Sequence, residues 1–366
     1  MARAAEATVE RVVARAYTVP TDTPEADGTI AWGSTTLVLV EASAGGTTGL
    51  GYTYSDASVT GLVERVLAPV VLGGDALAVP RHWQAMVAAV RNLGSHGLCA
   101  AAISAIDAAL WDLKARLLDV PLASLLGSAR DAVPIYGSGG FTSYDEARLT
   151  DQLGGWVKEL GCRWVKMKVG SEPGRDLDRV RAAREAVGHA GLMVDANGAY
   201  GRKQALRFAD EFAGLGVTWF EELVSSDDLE GLRLLRDRCP GELEIAAGEY
   251  GYDPFYFRRM LEAGAVDVLQ ADATRCGGIT GFLKAAALAD AHGLPLSAHT
   301  APALHLAVCC AAPRLRHVEW FHDHARIEAM LFEGAPAPKD GAIRPDLSRP
   351  GHGLTFRRAD AERFAA

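Results

Sequence analysis

Short apolar runs in the second half of the chain keep ending in residues able to do chemistry. Lys166 and Lys168 lie in WVKMKV, Asp195 and Asn197 in MVDAN, Glu221 in WFEE, and Glu249 in AAGE. Asp272 follows VLQA, His299 lies in SAHT, and Glu319 in HVEW. The spacing is roughly 20–30 residues, the length of one βα unit of a barrel. A charged group closing an apolar strand is costly unless it is paired or solvated. One such group could be an accident. Seven runs in phase are not expected where strand ends serve stability alone. If the strands are parallel and closed, their C-terminal ends share one mouth, and these residues meet there.

Each group then has a chemistry. Asp195, Glu221 and Glu249 would point at a common centre, where three carboxylates repel one another unless a cation sits between them. An all-oxygen donor set without Cys or His suits Mg²⁺. Taken singly, each acid could equally cap a helix or pair with an arginine. Lys166 and Lys168, two apart on a strand, face the same side. Their mutual repulsion and a nearby cation should lower the pKa of at least one, making it a general base. Asp272 beside His299 would fix the imidazole tautomer and raise its basicity. Glu319 would reach the same pocket from the last strand. Two weaker patterns have plainer readings. Cys276–Gly281 (CGGITG) is read as a tight βα turn rather than a phosphate cradle. His317, His322, Asp323 and His324 lack the placement of a zinc site.

The elements that must position these groups can be read from periodicity. Strands are expected near 134–136, 164–169, 192–195, 218–221, 244–247, 266–270, 294–297 and 316–320. Helical patterns fill the gaps, as at 174–187, 203–212, 229–238 and 279–292. Eight strand–helix repeats favour a parallel barrel over an open doubly wound sheet. Before them, strands at 9–17 and 35–41 flank a polar loop at 21–33, with a hairpin turn at 45–49. Helices follow at 58–68, 81–90 and 99–118. The expected division is an α+β capping domain at 1–125, a β/α barrel at 126–330, and a segment at 331–366 returning to the cap.

The 366 residues suffice for a barrel plus a smaller domain. A net charge of −9 argues against a nucleic-acid surface. No apolar run is long enough to span a membrane, and the first residues lack a signal-peptide core. The six cysteines form no CxxC pair. A cytoplasmic protein with reduced thiols is expected.

KMK at 166–168, VDAN at 194–197, WFEE at 219–222, AGE at 247–249, QADATRCGGITG at 270–281, SAHT at 297–300 and HVEW at 317–320 resemble the enolase superfamily, in its mandelate racemase subgroup. The resemblance spans nearly the whole chain. It implies an α/β fold, a modified TIM (β/α) barrel with an α+β N-terminal cap, and a homo-oligomer. It matches Asp195, Glu221 and Glu249 to Mg²⁺ ligands. It also makes Lys168 and His299 bases on opposite faces of a carboxylate substrate, with Asp272 orienting His299. Lys166 corresponds to a carboxylate contact, Glu319 to a hydrogen bonder on the electrophile side, and Asn197 to a substrate contact. One departure is Leu223, where many relatives have proline after the paired glutamates. The implied reaction begins with loss of the proton beside a carboxylate, giving an enediolate. Dehydration of a sugar acid to a 2-keto-3-deoxy acid is the favoured outcome. A racemase or epimerase of a 2-hydroxy acid is the alternative. A metal-free Schiff-base aldolase and a non-catalytic barrel are the remaining rivals. Trp32, Tyr52 and Tyr54 are candidate substrate contacts from the cap, with ordinary packing as an equal reading.

Overall fold

The computed structural model describes residues 7–366. Three antiparallel strands open it: β1 (Arg11–Ala26), β2 (Ala31–Ala44) and β3 (Thr47–Tyr54). Both faces of this sheet are covered. Val12, Ala14, Val38 and Val40 pack against the helices of the cap, while Tyr17, Val19, Leu37 and Leu39 join the core shared with the barrel. That double burial explains why the strand sequences read as apolar runs.

Helix Leu98–Leu117 lies against β3 and is buried nearly all round. Its alanines permit a close approach. A Cβ at Gly51 would stand 2.2 Å from the Ala105 carbonyl, so only glycine fits there.

The polar stretch at 21–33 is not the loop that its composition suggests. β1 and β2 run on through it, with a register shift between Pro20 and Glu25. Pro20 and Pro24 are tolerated because β1 is an edge strand of its sheet. The Asp27 carboxylate accepts from the Thr29 and Ile30 amides at 2.6 and 2.8 Å and closes the turn. The Thr142 hydroxyl donates to the Asp27 carbonyl, pinning this hairpin to the barrel.

The barrel strands are β4 (Val133–Gly139), β5 (Trp164–Lys168), β6 (Gly191–Asp195), β7 (Val217–Glu221), β8 (Glu244–Ala247), β9 (Val268–Ala271), β10 (Leu296–Ala298) and β11 (Leu315–Phe321). They are parallel and paired in sequence order, and β11 pairs with β4 to close the ring. All eight expected strands are present. Tyr136, Met193, Trp219, Ala246 and Val268 fill the interior as a packed layer. In the C-terminal segment, Phe332–Glu333 pairs with Thr355–Phe356, and Ala365 bridges Tyr17 of the cap.

Cap and barrel are locked together at the start of helix Gly278–Ala291. Its first amides would otherwise be orphaned. The Ser104 hydroxyl accepts from the Gly277 and Gly278 amides, and Asp107 accepts from the Thr280 amide and hydroxyl. Trp111 and Trp83 donate to Thr280 Oγ1 and the Gly277 carbonyl. The glycine-rich turn at 276–281 is therefore an interdomain joint, consistent with the plain βα-turn reading.

Candidate active site

The strand register brings the chemistry together. Lys168, Asp195 and Glu221 are neighbours in the ladder of β5, β6 and β7. Glu249 comes two residues after β8 and reaches inward through Gly248, whose φ is +134°. A Cβ there would lie 2.1 Å from the Gln270 carbonyl, so the approach of β8 to β9 demands glycine. Asp272 and His299 directly follow β9 and β10, and Glu319 stands within β11. All of these side chains are buried.

Asp195, Glu221 and Glu249 each offer an oxygen within 4.8 Å of the others. Lys166 Nζ lies 2.6 Å from Glu221 and 2.9 Å from Glu319, and Lys168 pairs with Asp195. Trp219 Nε1 donates to the other Glu221 oxygen at 2.9 Å and orients it. Glu249 Oε2 and Glu222 Oε1 are buried without a hydrogen bond. Buried acids so close together, with orphaned oxygens, fit a divalent cation with hard oxygen ligands. Burial and the charge of Asp195 push Glu221 well above the usual carboxylate range, against the pull of Lys166. Burial and the neighbouring Glu249 and Asp195 do the same to Glu222.

The expected lowering of a lysine pKa is not found among these carboxylates. Burial alone would lower both ammonium groups, but Glu221 and Glu319 raise Lys166 and Asp195 raises Lys168. The repulsion of Lys166 does act on Lys168 in the expected direction, and the acids outweigh it.

On the far side of the ring from β5, His299 Nδ1 is hydrogen-bonded to Asp272 at 2.8 Å. Its Nε2 lies 3.2 Å from Glu249 and 3.7 Å from Glu319. Burial would raise Asp272, yet the bond to His299, with Arg275 and His305, holds it well below the carboxylate range. Glu319 accepts from the Ser138 hydroxyl and the Thr300 amide. Burial opposes its ionisation, but Lys166 and His299 hold it low.

A cavity of about 300 Å³ opens onto this cluster. Lys168, Asn197, Glu249 and His299 line its floor, and Trp32 and Tyr54 line its cap side. Tyr52 does not. It is buried between cap and barrel, where its hydroxyl donates to Glu328 at 2.5 Å and its ring stacks on Phe332. Alternation along β3 turns Tyr52 and Tyr54 to the same side, but Tyr52 is deeper and covered. The candidate contact at Tyr52 is thus corrected to a packing residue. His317, His322 and His324 do not converge. His317 sits among Tyr136, Trp164 and Trp219, with burial pushing its pKa down to about 3. His322 pairs with Asp22, and His324 stacks on Tyr54.

Arg275, Asp27 and Tyr250 also line the cavity and were not singled out from sequence, and His324, weighed there only for zinc, lines it too. Arg275 Nη1 lies 3.3 Å from Glu249, and its Nε 3.6 Å from Asp272. The signal for it was available: it lies three residues beyond Asp272, in a motif already quoted. Four non-glycine residues at the mouth, Asn197, Glu222, Thr300 and Ala301, have φ between 38° and 51°. Such strain concentrates where surrounding structure over-determines a functional geometry.

The fold and site define a class: a capped β/α barrel with an acid trio, a lysine pair and a His–Asp pair at its mouth. Residues 10–127 match the family described as mandelate racemase / muconate lactonizing enzyme, N-terminal domain, and residues 148–361 match enolase C-terminal domain-like. The chain belongs to this family of enzymes within the enolase superfamily. A mandelate racemase/muconate lactonizing enzyme-like protein from Rubrobacter xylanophilus is 56% identical, with a TM-score of 0.96 over 98% of this chain and 100% of that one. The 3,6-anhydro-alpha-L-galactonate cycloisomerase of Streptomyces coelicolor is 35% identical over 360 residues, 95% of this chain and 97% of its own. The L-talarate/galactarate dehydratase of Salmonella typhimurium LT2, liganded with Mg and L-lyxarohydroxamate, is 29% identical with a TM-score of 0.90, covering 100% of this chain and 95% of that one.

Proposed function

We propose that the protein abstracts the α-proton of a sugar-acid carboxylate and dehydrates the acid to a 2-keto-3-deoxy product. The observation that carries this reading is the pairing of two proton-transfer groups, Lys168 and His299, on opposite sides of the ring around one acid trio. The relatives act on sugar acids or their anhydro forms by their names, and one binds Mg beside a sugar-acid analogue.

Asp195, Glu221 and Glu249 would hold Mg²⁺, a Lewis acid toward the substrate carboxylate. Lys166 presents a second positive charge to the carboxylate oxygen, where charge develops as the proton leaves. Glu319, bonded to Lys166, Ser138 and Thr300, holds Lys166 toward those oxygens, and as the neutral acid would itself donate to them. With the acids compensated, the repulsion of Lys166 is left to act on Lys168, whose amine takes the α-proton. His299 Nε2, its ring held by Asp272, gives a proton to the β-hydroxyl, which departs as water. The enol left behind becomes the 2-keto acid.

The same two groups suit return of a proton to the α-carbon, so racemisation or epimerisation is the second reading. Incubation with Mg²⁺ and a panel of sugar acids in D₂O separates them. A 2-keto acid supports dehydration; α-deuterium with inversion and no keto acid supports racemisation. No exchange from any acid, with Mg²⁺ bound in a calorimetric titration, would overturn both.

A further inference from the structure

The cavity over the site has two chemically different ends. Its floor carries the cations. Lys168 pairs with Asp195, and Arg275 is held by Glu249 and Asp272 and lies over the Tyr250 ring. Both are therefore committed to the reacting end. The opposite end is formed by the cap, through Asp27, Trp32, Ser34, Thr36, Tyr54 and Ser55. Among the described residues no lysine or arginine of the cap lines it.

The side chains beside the cap end do not supply a free charge. His324 is buried and stacked on Tyr54, and its burial beside His299 keeps it neutral. Arg148 is paired with Asp22 outside the cavity, and Arg326 with Asp323. A second cavity of about 520 Å³ begins beyond Asn197 and Tyr250 and contains His96 and Arg259. His96 there is paired with Asp253 at 3.0 Å, and Glu222 and Asp227 line the same space. Arg259 there has no carboxylate partner among the described residues, but it lines that second cavity and not the cap end over Lys168.

Among the described residues, Asp27 is the one carboxylate that the cap brings to the cavity. Its Oδ1 accepts the turn's three hydrogen bonds, from the Thr29 amide and hydroxyl and the Ile30 amide. Oδ2 has no hydrogen bond among the described residues and is free to accept from a ligand hydroxyl. A carboxylate can only accept, so it receives a hydroxyl and repels a second carboxylate. The hydroxyls of Ser34, Thr36 and Ser55 can serve a polyol as donors or acceptors. Relatives do not decide the matter, since a galactonate is a monoacid and a galactarate a diacid.

We infer that the substrate is a polyhydroxy monocarboxylate, an aldonic acid rather than an aldaric diacid, with Asp27 selecting against a charged far end. This rests on the enolisation reading of the site. The test compares aldonates with aldarates of matched configuration, with Mg²⁺ present. Turnover is followed as 2-keto acid and α-deuterium exchange, and binding as calorimetric titration with mono- and dicarboxylate hydroxamates. The expected result is a preference for the monoacid of roughly 100-fold in kcat/KM, with the same order of affinity for the hydroxamates. Asp27→Asn keeps the turn's acceptor while removing the charge. It should narrow the preference by roughly 10-fold, chiefly by improving diacids. Equal or better turnover or binding of diacids overturns the inference. An unchanged ratio in Asp27→Asn overturns the role of Asp27. If no acid turns over while the monoacid hydroxamate still binds more tightly, the substrate class stands and the reaction reading falls.

Discussion

Two sets of buried carboxylates sit within one molecule, and they are held in opposite ways. At the seam between cap and barrel, Asp107, Asp112 and Glu328 each receive donors. Asp112 accepts from the Leu50 and His352 amides and from Arg116, and Glu328 from Tyr52 and the Ala303 amide. At the barrel mouth, Asp195, Glu221 and Glu249 also face one another; lysines and Trp219 reach two of them, but Glu249 Oε2 and nearby Glu222 Oε1 are left without a hydrogen bond. The seam acids join two domains, and their satisfied geometry stabilises the fold. The mouth acids are crowded on one another, with Glu221 and Glu222 pushed up by burial and neighbouring carboxylates despite the lysines, an arrangement that marks functional sites. Burial alone does not separate the two; the identity of the neighbours does.

Substitutions should split along that line. The largest effect is expected from the bases. Lys168→Ala and His299→Asn should each slow α-deuterium exchange by about 10²–10⁴-fold, followed by NMR, while the melting temperature stays close to wild type. Loss of the fold in both variants would erase the contrast. Next, Asp107→Ala should lower stability by about 2–4 kcal/mol, because the Thr280 amide and hydroxyl lose their acceptor inside the seam. The urea midpoint measures it, and Mg²⁺ affinity should be kept. Smaller still is the contrast between two tyrosines. Tyr54→Ala should raise KM by about 10-fold through lost cavity wall. Tyr52→Phe should cost about 1 kcal/mol of stability and leave KM alone.

A further effect is expected in pH. Burial raises the Glu328 carboxyl to about 8 in the fold, from an ordinary 4.5. Between those values the folded chain holds a proton that the unfolded chain has lost, so raising the pH favours unfolding. Urea midpoints should therefore fall between about pH 5 and pH 8, and Glu328→Gln should flatten the slope. A wild-type midpoint that rises over this window would contradict the account of the seam.

The mouth was legible because barrel strands are short and apolar, so that Asp195, Glu221 and His299 break their runs visibly. Convergence of strand ends did the rest. The seam was not legible. Ser104 and Asp107 lie in a helix whose spacing gives no hint of Gly277 and Thr280, more than 170 positions away. Tyr52 was misread for the same reason: an aromatic in a cap strand looks alike whether it meets a ligand or Glu328. The hairpin at 21–33 was taken for a loop because prolines and small polar residues mask its alternation. Asp27, at its tip, went unnoticed with it.

The shared helix start at Gly278 has a consequence for how such proteins can be recombined. The first turn of a barrel helix is closed by side chains from a different domain. A barrel transplanted without Ser104 and Asp107 would carry bare amides at the joint, and a cap moved alone would bring a buried acid with nothing to bind. Cap and barrel must therefore be exchanged between relatives as a matched set. New specificity is more readily sought at the tip of the cap hairpin, where residues can vary without disturbing that joint.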